Sequence, residues 1–149
     1  MKAFRFRLQT NLNLAAGQEK LAQEELQKAM QYRDQLAREL DYAYNRLHNI
    51  QDELREMLFD AVPFARVILV KQYMPVLMDM IHNLQDQLNR AEEIVEKRRL
   101  TLLERKRETQ VLERLKEKEW TRYLHELQME EQKLIDEVAV TGHYRKGIG

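Results

Sequence analysis

The residues here that could do chemistry are histidines, carboxylates and clustered bases, and their spacing decides against most of it. His48, His82, His125 and His143 stand far apart, and none begins the His-Glu-x-x-His pattern of a zinc helix. His125-Glu126 is followed by Leu-Gln-Met rather than by a second ligand. Carboxylates sit side by side at Glu24-Glu25, Glu92-Glu93 and Glu130-Glu131, but on a highly charged helix such pairs are solvated faces. A di-iron site would need Glu-x-x-His on inward faces of a four-helix bundle, and that spacing does not occur. Serine and cysteine are both absent, so hydroxyl and thiol nucleophiles of the usual kind are missing, and no base stands beside the few threonines. Without a glycine-rich phosphate loop, any link to ATP must run through a partner. The reading is a non-enzymatic protein with no metal and no cofactor.

Two basic triplets remain, Lys97-Arg98-Arg99 and Arg105-Lys106-Arg107. Glutamates interleave them and no aromatic stacking set accompanies them, which disfavours nucleic acid. They read as a solvated coiled-coil face or as the counterpart of an acidic protein partner. The formal net charge is +0, so no global field draws the chain to nucleic acid or anionic lipid. No run reaches the ~20 apolar residues of a membrane span; the stretch around Val62–Ile81 is interrupted by Arg66, Lys71 and Asp79. The opening Met1-Lys2-Ala3-Phe4-Arg5 lacks the apolar core of a signal peptide. An absence of cysteine suits a reducing cytoplasm.

What must position these residues is helix. Charged residues make up 34% of the 149, while 4 glycines and 2 prolines are too few to serve the reversals of a compact fold. Leu8, Leu12, Ala15, Glu19, Ala22, Leu26, Ala29, Arg33, Leu36, Leu40, Ala43, Leu47, Ile50, Leu54 and Met57 follow alternating spacings of four and three. Only Glu19 and Arg33 break the apolar rule, so the ladder has the period of about 3.5 residues that marks a coiled coil. This first helix is expected over about residues 8–58. Gly17 within it costs roughly 1 kcal/mol against alanine.

Both prolines fall near the reversal. A turn is expected over about residues 59–63, with Asp60 as N-cap and Pro63 in the first turn of a second helix running to about Val140. Pro75 predicts a kink near Lys71–Met74, or a break with the main second helix starting there. Beyond it, Leu77, Met80 or Ile81, Leu84, Leu88, Ala91, Val95 and Leu102 give a stripe that can face the first helix. From Glu96 to Glu119 the pattern weakens. Residues 141–149 read as a tail, since Gly142, Gly147 and Arg145-Lys146 offer nothing to bury.

The fold class is therefore all-α: one coiled-coil domain, a long two-helix antiparallel hairpin whose C-terminal helix overhangs its shorter partner. Pairing is expected to run out near Val111–Leu115, leaving Trp120, Tyr123, Leu124 and Leu127 on an uncovered face. An exposed apolar face of that kind is a docking candidate.

The chain resembles the flagellar export protein FliJ family. The likeness rests on Phe4-x-Phe6-x-Leu8-x-x-x-Leu12 with Gln18-Glu19, on Gln72-Tyr73 with Leu77 after the turn, and on the far end. There Leu112-Glu113-Arg114-Leu115-Lys116-Glu117 leads to Glu131-Gln132-Lys133-Leu134-Ile135-Asp136-Glu137-Val138-Ala139. The resemblance implies a soluble component of the bacterial flagellar type III export apparatus, cytoplasmic and peripheral at the inner face of the cytoplasmic membrane. It implies binding to the export ATPase FliI, contact with the export gate protein FlhA, and a chaperone-like role that could involve export chaperones. By this likeness the gate contact falls on Tyr73, Leu77, Met80 and Leu84, which also form one helical stripe. The ATPase contact would then involve Arg105, Lys106, Arg107, Trp120, Tyr123, Leu124 and Leu127. Two other readings stay open: a γ-like stalk subunit of a rotary ATPase, and a self-associating structural coiled coil, that is, a homodimer.

Overall fold

The computed structural model describes residues 2–60 and 63–148. It is all-α, a two-helix antiparallel hairpin built from α1 (Gln9–Phe59) and α2 (Phe64–Ile148), with no strand among the described residues. The chain divides into two compact units, Leu21–Leu103 and Met1–Lys20 with Glu104–Gly149.

Every rung of the α1 ladder from Leu8 to Met57 is buried or half-buried, Glu19 and Arg33 included. Off-ladder leucines, Leu14 and Leu21, stay exposed, so helical phase rather than hydrophobicity alone selects what is covered. Arg33 satisfies its half-buried position by turning its guanidinium to Asp34, with Nη2 donating to Oδ1 at 3.0 Å. Its stem lies along the seam while the charge stays wet.

In the unit Leu21–Leu103 the core is Leu40, Ala43, Ile50, Leu77 and Ile81, with Leu47, Leu54, Val70, Tyr73, Met74, Leu84 and Leu88 packed around it. Glu25 meets Arg98 at 3.2 Å and Arg46 meets Tyr73, which fixes the helices as antiparallel here. The choice between Met80 and Ile81 is resolved: Ile81 is buried and Met80 is 48% exposed. α2 passes through Pro75 without the break allowed for from sequence. A proline inside a helix costs about 3 kcal/mol. Burial of large side chains such as Leu77 and Ile81, at ~1.5–3 kcal/mol each, offsets it.

The turn differs from expectation in its cap. Asp60 donates its N–H to the Glu56 carbonyl, which places it at the end of α1. Phe64 opens α2, and Arg66 donates its N–H to the Pro63 carbonyl at 3.0 Å, so Pro63 stands just outside the helix. Ala61 and Val62 lie outside the described residues.

In the other unit, residues 2–8 are non-helical apart from a turn and continue along α2 beyond the start of α1. Phe6 is buried. Phe4 reaches Trp120 and Tyr123, and the Tyr123 hydroxyl donates to the Lys2 carbonyl at 2.9 Å. The expectation that pairing ends near Val111–Leu115 is thus corrected. A chain out of helical conformation can advance ~3.3 Å per residue against about 1.5 Å in a helix, so a short segment covers several more turns of α2. Within this unit the weak pattern of α2 reflects polar groups in covered positions beside Leu112 and Leu115. Arg105 is half-buried and donates through Nη1 to Gln18 Oε1 at 3.2 Å; Thr109 is 4% exposed and gives its hydroxyl proton to the Arg105 carbonyl.

α2 also runs past the expected end at Val140, to Ile148. Adding a residue to an existing helix gains a hydrogen bond without a new nucleus, so burial is not required at each turn. Arg145 and Lys146 in the last turn complement the helix dipole. All residues from Gln128 to Gly147 are exposed.

Candidate functional site

An apolar groove of about 560 Å³ lies in the unit Leu21–Leu103, with Tyr73, Leu77, Met80 and Leu84 of α2 on one side. Arg38, Glu39, Tyr42, Ala43 and Arg46 of α1 form the other. Tyr73, Leu77, Met80 and Leu84 recur at helical spacing, and the structure brings all four together. Their roles divide. Leu77 is 1% exposed and belongs to the core, forming the floor with Ala43. Met80 is the accessible apolar group at the rim, and Tyr73 and Leu84 are half-buried walls.

The groove exists because the ladder carries alanine at position 43, where a leucine would have filled the space against Leu77. Sequence reasoning missed Arg38, Tyr42 and Arg46, which fall off the ladder and so register only as solvated flank. The signal that could have found them is their spacing of four along one side of a small rung. Arg46 donates Nε–H to the Tyr73 hydroxyl at 3.2 Å, with its Cζ 5.4 Å from the ring centroid. The hydrogen bond and the electrostatic pull of the Tyr73 phenol, with a smaller part from Tyr42, hold Arg46 above the ordinary guanidinium value.

The second face lies in the unit Met1–Lys20 with Glu104–Gly149. Trp120 and Tyr123 stack at 5.6 Å and 20°, and Phe4 meets Trp120 edge-on. Trp120 remains 44% exposed, so residues 2–8, which lie over it as a strap, cover this face only in part. Leu124 is exposed and Leu127 half-buried further along. The triplet Arg105-Lys106-Arg107 does not act as one cluster: Arg105 turns into the seam toward Gln18, while Lys106 and Arg107 stay exposed. Arg98 and Arg99 are similarly engaged by Glu25 and Glu96. That leaves little of either triplet as a concentrated basic patch.

Among the described residues there is no group of three or more His, Asp or Glu able to hold a metal ion, and no helix is long and apolar enough to cross a membrane. What the surfaces offer is shape, apolar anchors and a few oriented charges, which is the chemistry of protein recognition.

A family described as "Flagellar FliJ protein" matches residues 4–147. Nothing matches among curated proteins or among solved structures. The matched span takes in the strap, both helices and both faces, and the chain accordingly belongs to the flagellar FliJ family, a component of the flagellar protein export apparatus.

Proposed function

We propose that this protein is a non-enzymatic connector that links the export ATPase FliI to the export gate protein FlhA, stimulates the ATPase, and has a chaperone-like role toward export substrates. It would work at the inner face of the cytoplasmic membrane. The observation that carries this reading is the groove in which Tyr73, Met80 and Leu84 surround the buried Leu77. It is concave, apolar and exposed on one side, as an anchor site for a partner helix requires.

The test is Met80→Asp, titrated against the cytosolic portion of the gate protein while helicity is followed by circular dichroism. Leu77→Asp is unsuitable, because a charge at a core position would unfold the unit and mimic lost binding. Binding weakened by more than tenfold at unchanged helicity supports the groove as the gate contact; wild-type binding removes it. The ATPase contact rests on Trp120, Tyr123, Leu124 and Leu127, with exposed Lys106 and Arg107 several turns earlier on α2.

A further inference from the structure

The groove carries more charge than an apolar contact needs. Arg46 spends its Nε–H on the Tyr73 hydroxyl, and the ring beneath holds the guanidinium at the groove wall. Neither Nη group meets a carboxylate among the described residues, and the side chain is exposed. Arg38, two turns earlier on the same side of α1, has no ion pair there either. Glu39, the lining carboxylate, accepts a hydrogen bond from Gln35 Nε2 at 3.3 Å. Arg33, Arg98, Arg99, Arg105 and Arg122 sit beside an acid, whereas Arg55, Arg66, Arg90, Arg107 and Arg114 make no ion pair among the described residues; what sets Arg46 apart is its fixed place over the Tyr73 ring at the groove. At the groove mouth Arg46, fixed over the Tyr73 ring, and exposed Arg38 have no carboxylate on their guanidinium groups among the described residues.

We infer that the groove takes an acidic amphipathic helix of a partner protein, seating a large apolar side chain between Tyr42, Tyr73 and Met80 and a carboxylate, one turn away, on the Nη groups of Arg46. A guanidinium already fixed through Nε loses little freedom when a carboxylate bridges its two Nη groups, and the planar fork fits that anion bidentately. Arg and Tyr at the edge of an apolar pocket are also the residue types that dominate binding energy at interfaces. Charge complementarity names the occupant: a neutral apolar segment would leave both guanidinium groups unanswered, and a basic one would be repelled. The inference rests on the groove being the gate contact and adds the chemistry of what enters it.

The experiment titrates the cytosolic portion of the gate protein against the full chain at two ionic strengths, with Arg46→Gln, Arg46→Lys, Arg46→Glu and Met80→Asp. Arg46→Gln keeps a donor for Tyr73, and circular dichroism melts confirm that each variant folds. The inference expects Arg46→Gln to weaken binding about tenfold and to flatten its salt dependence, Arg46→Lys to recover part of the loss, and Arg46→Glu to bind worst. Loss with Met80→Asp but wild-type binding by all three Arg46 variants would overturn the acidic partner and leave the groove standing. Wild-type binding by Met80→Asp as well would remove the gate contact itself. Sedimentation and anionic vesicles supply the remaining arms: an Arg46-dependent dimer or Arg46-dependent lipid binding, with the gate unaffected, would overturn the inference by naming a different occupant.

Discussion

Phe4 meets Trp120 edge-on, with ring centroids 5.0 Å apart and planes inclined at 69°, although the two residues lie at opposite ends of the sequence. Tyr123 completes the cluster and holds the strap by its backbone, through the Lys2 carbonyl. Phe4→Ala should destabilise this unit by about 1–2 kcal/mol, from lost burial and the aromatic pair. As the only tryptophan, Trp120 reports it directly: its emission should shift to the red in the variant, and an unchanged spectrum would mean the strap does not cover it.

Leu77 and Met80 occupy the same groove but should respond differently to truncation. Leu77→Ala removes a core side chain and should cost about 2–5 kcal/mol. Met80→Ala, half exposed, should cost less than about 1 kcal/mol. Amide exchange across Leu21–Leu103 distinguishes them, with faster exchange in the first variant alone.

Gly17 sits inside α1 with no positive φ, and a Cβ placed there meets nothing within 4 Å. Gly17→Ala should therefore stabilise the chain by about 1 kcal/mol. A raised melting temperature checks it; a lowered one would mean that the site is not open helix.

Glu96 accepts 2.9 and 2.6 Å hydrogen bonds from Arg99, and these hold its carboxyl below the usual carboxylate range. A group with a depressed folded value stabilises above its unfolded value and loses that contribution as pH falls through the folded one. The pair is exposed, so the effect is small. Glu96→Gln should lower the melting temperature slightly near neutral pH, and the difference should vanish as the wild-type carboxylate protonates. A difference that persists in acid would assign it to helix propensity instead.

The first helix was legible because its ladder is almost purely apolar, and the two exceptions, Glu19 and Arg33, were too few to hide the period. The seam of α2 was legible as the stripe Leu77, Ile81, Leu84, Leu88, Ala91, Val95 and Leu102, all of it covered; Arg98, Arg105 and Thr109 were not, since hydrophobicity does not mark them. Their place depends on partners across the hairpin, Glu25 for Arg98 and Gln18 for Arg105. The strap was legible only in part: Phe4-Arg5-Phe6-Arg7-Leu8 alternates apolar and basic residues, which suits a short extended lead-in or a frayed helical start in want of a hydrophobic surface, but only three-dimensional register says that Trp120 lies within reach of Phe4. At the groove, the α2 side followed from spacing and the resemblance, whereas Tyr42 and Arg46 became meaningful only once Ala43 was seen to leave a gap.

The end of α2, from Gln128 to Gly147, is helix with no side chain enclosed by the rest of the molecule. Folding therefore asks almost nothing of Leu134, Ile135, Val138 or Tyr144. Substitutions there are cheap for stability, so any evolutionary pressure to keep those particular side chains has to come from other molecules that read them.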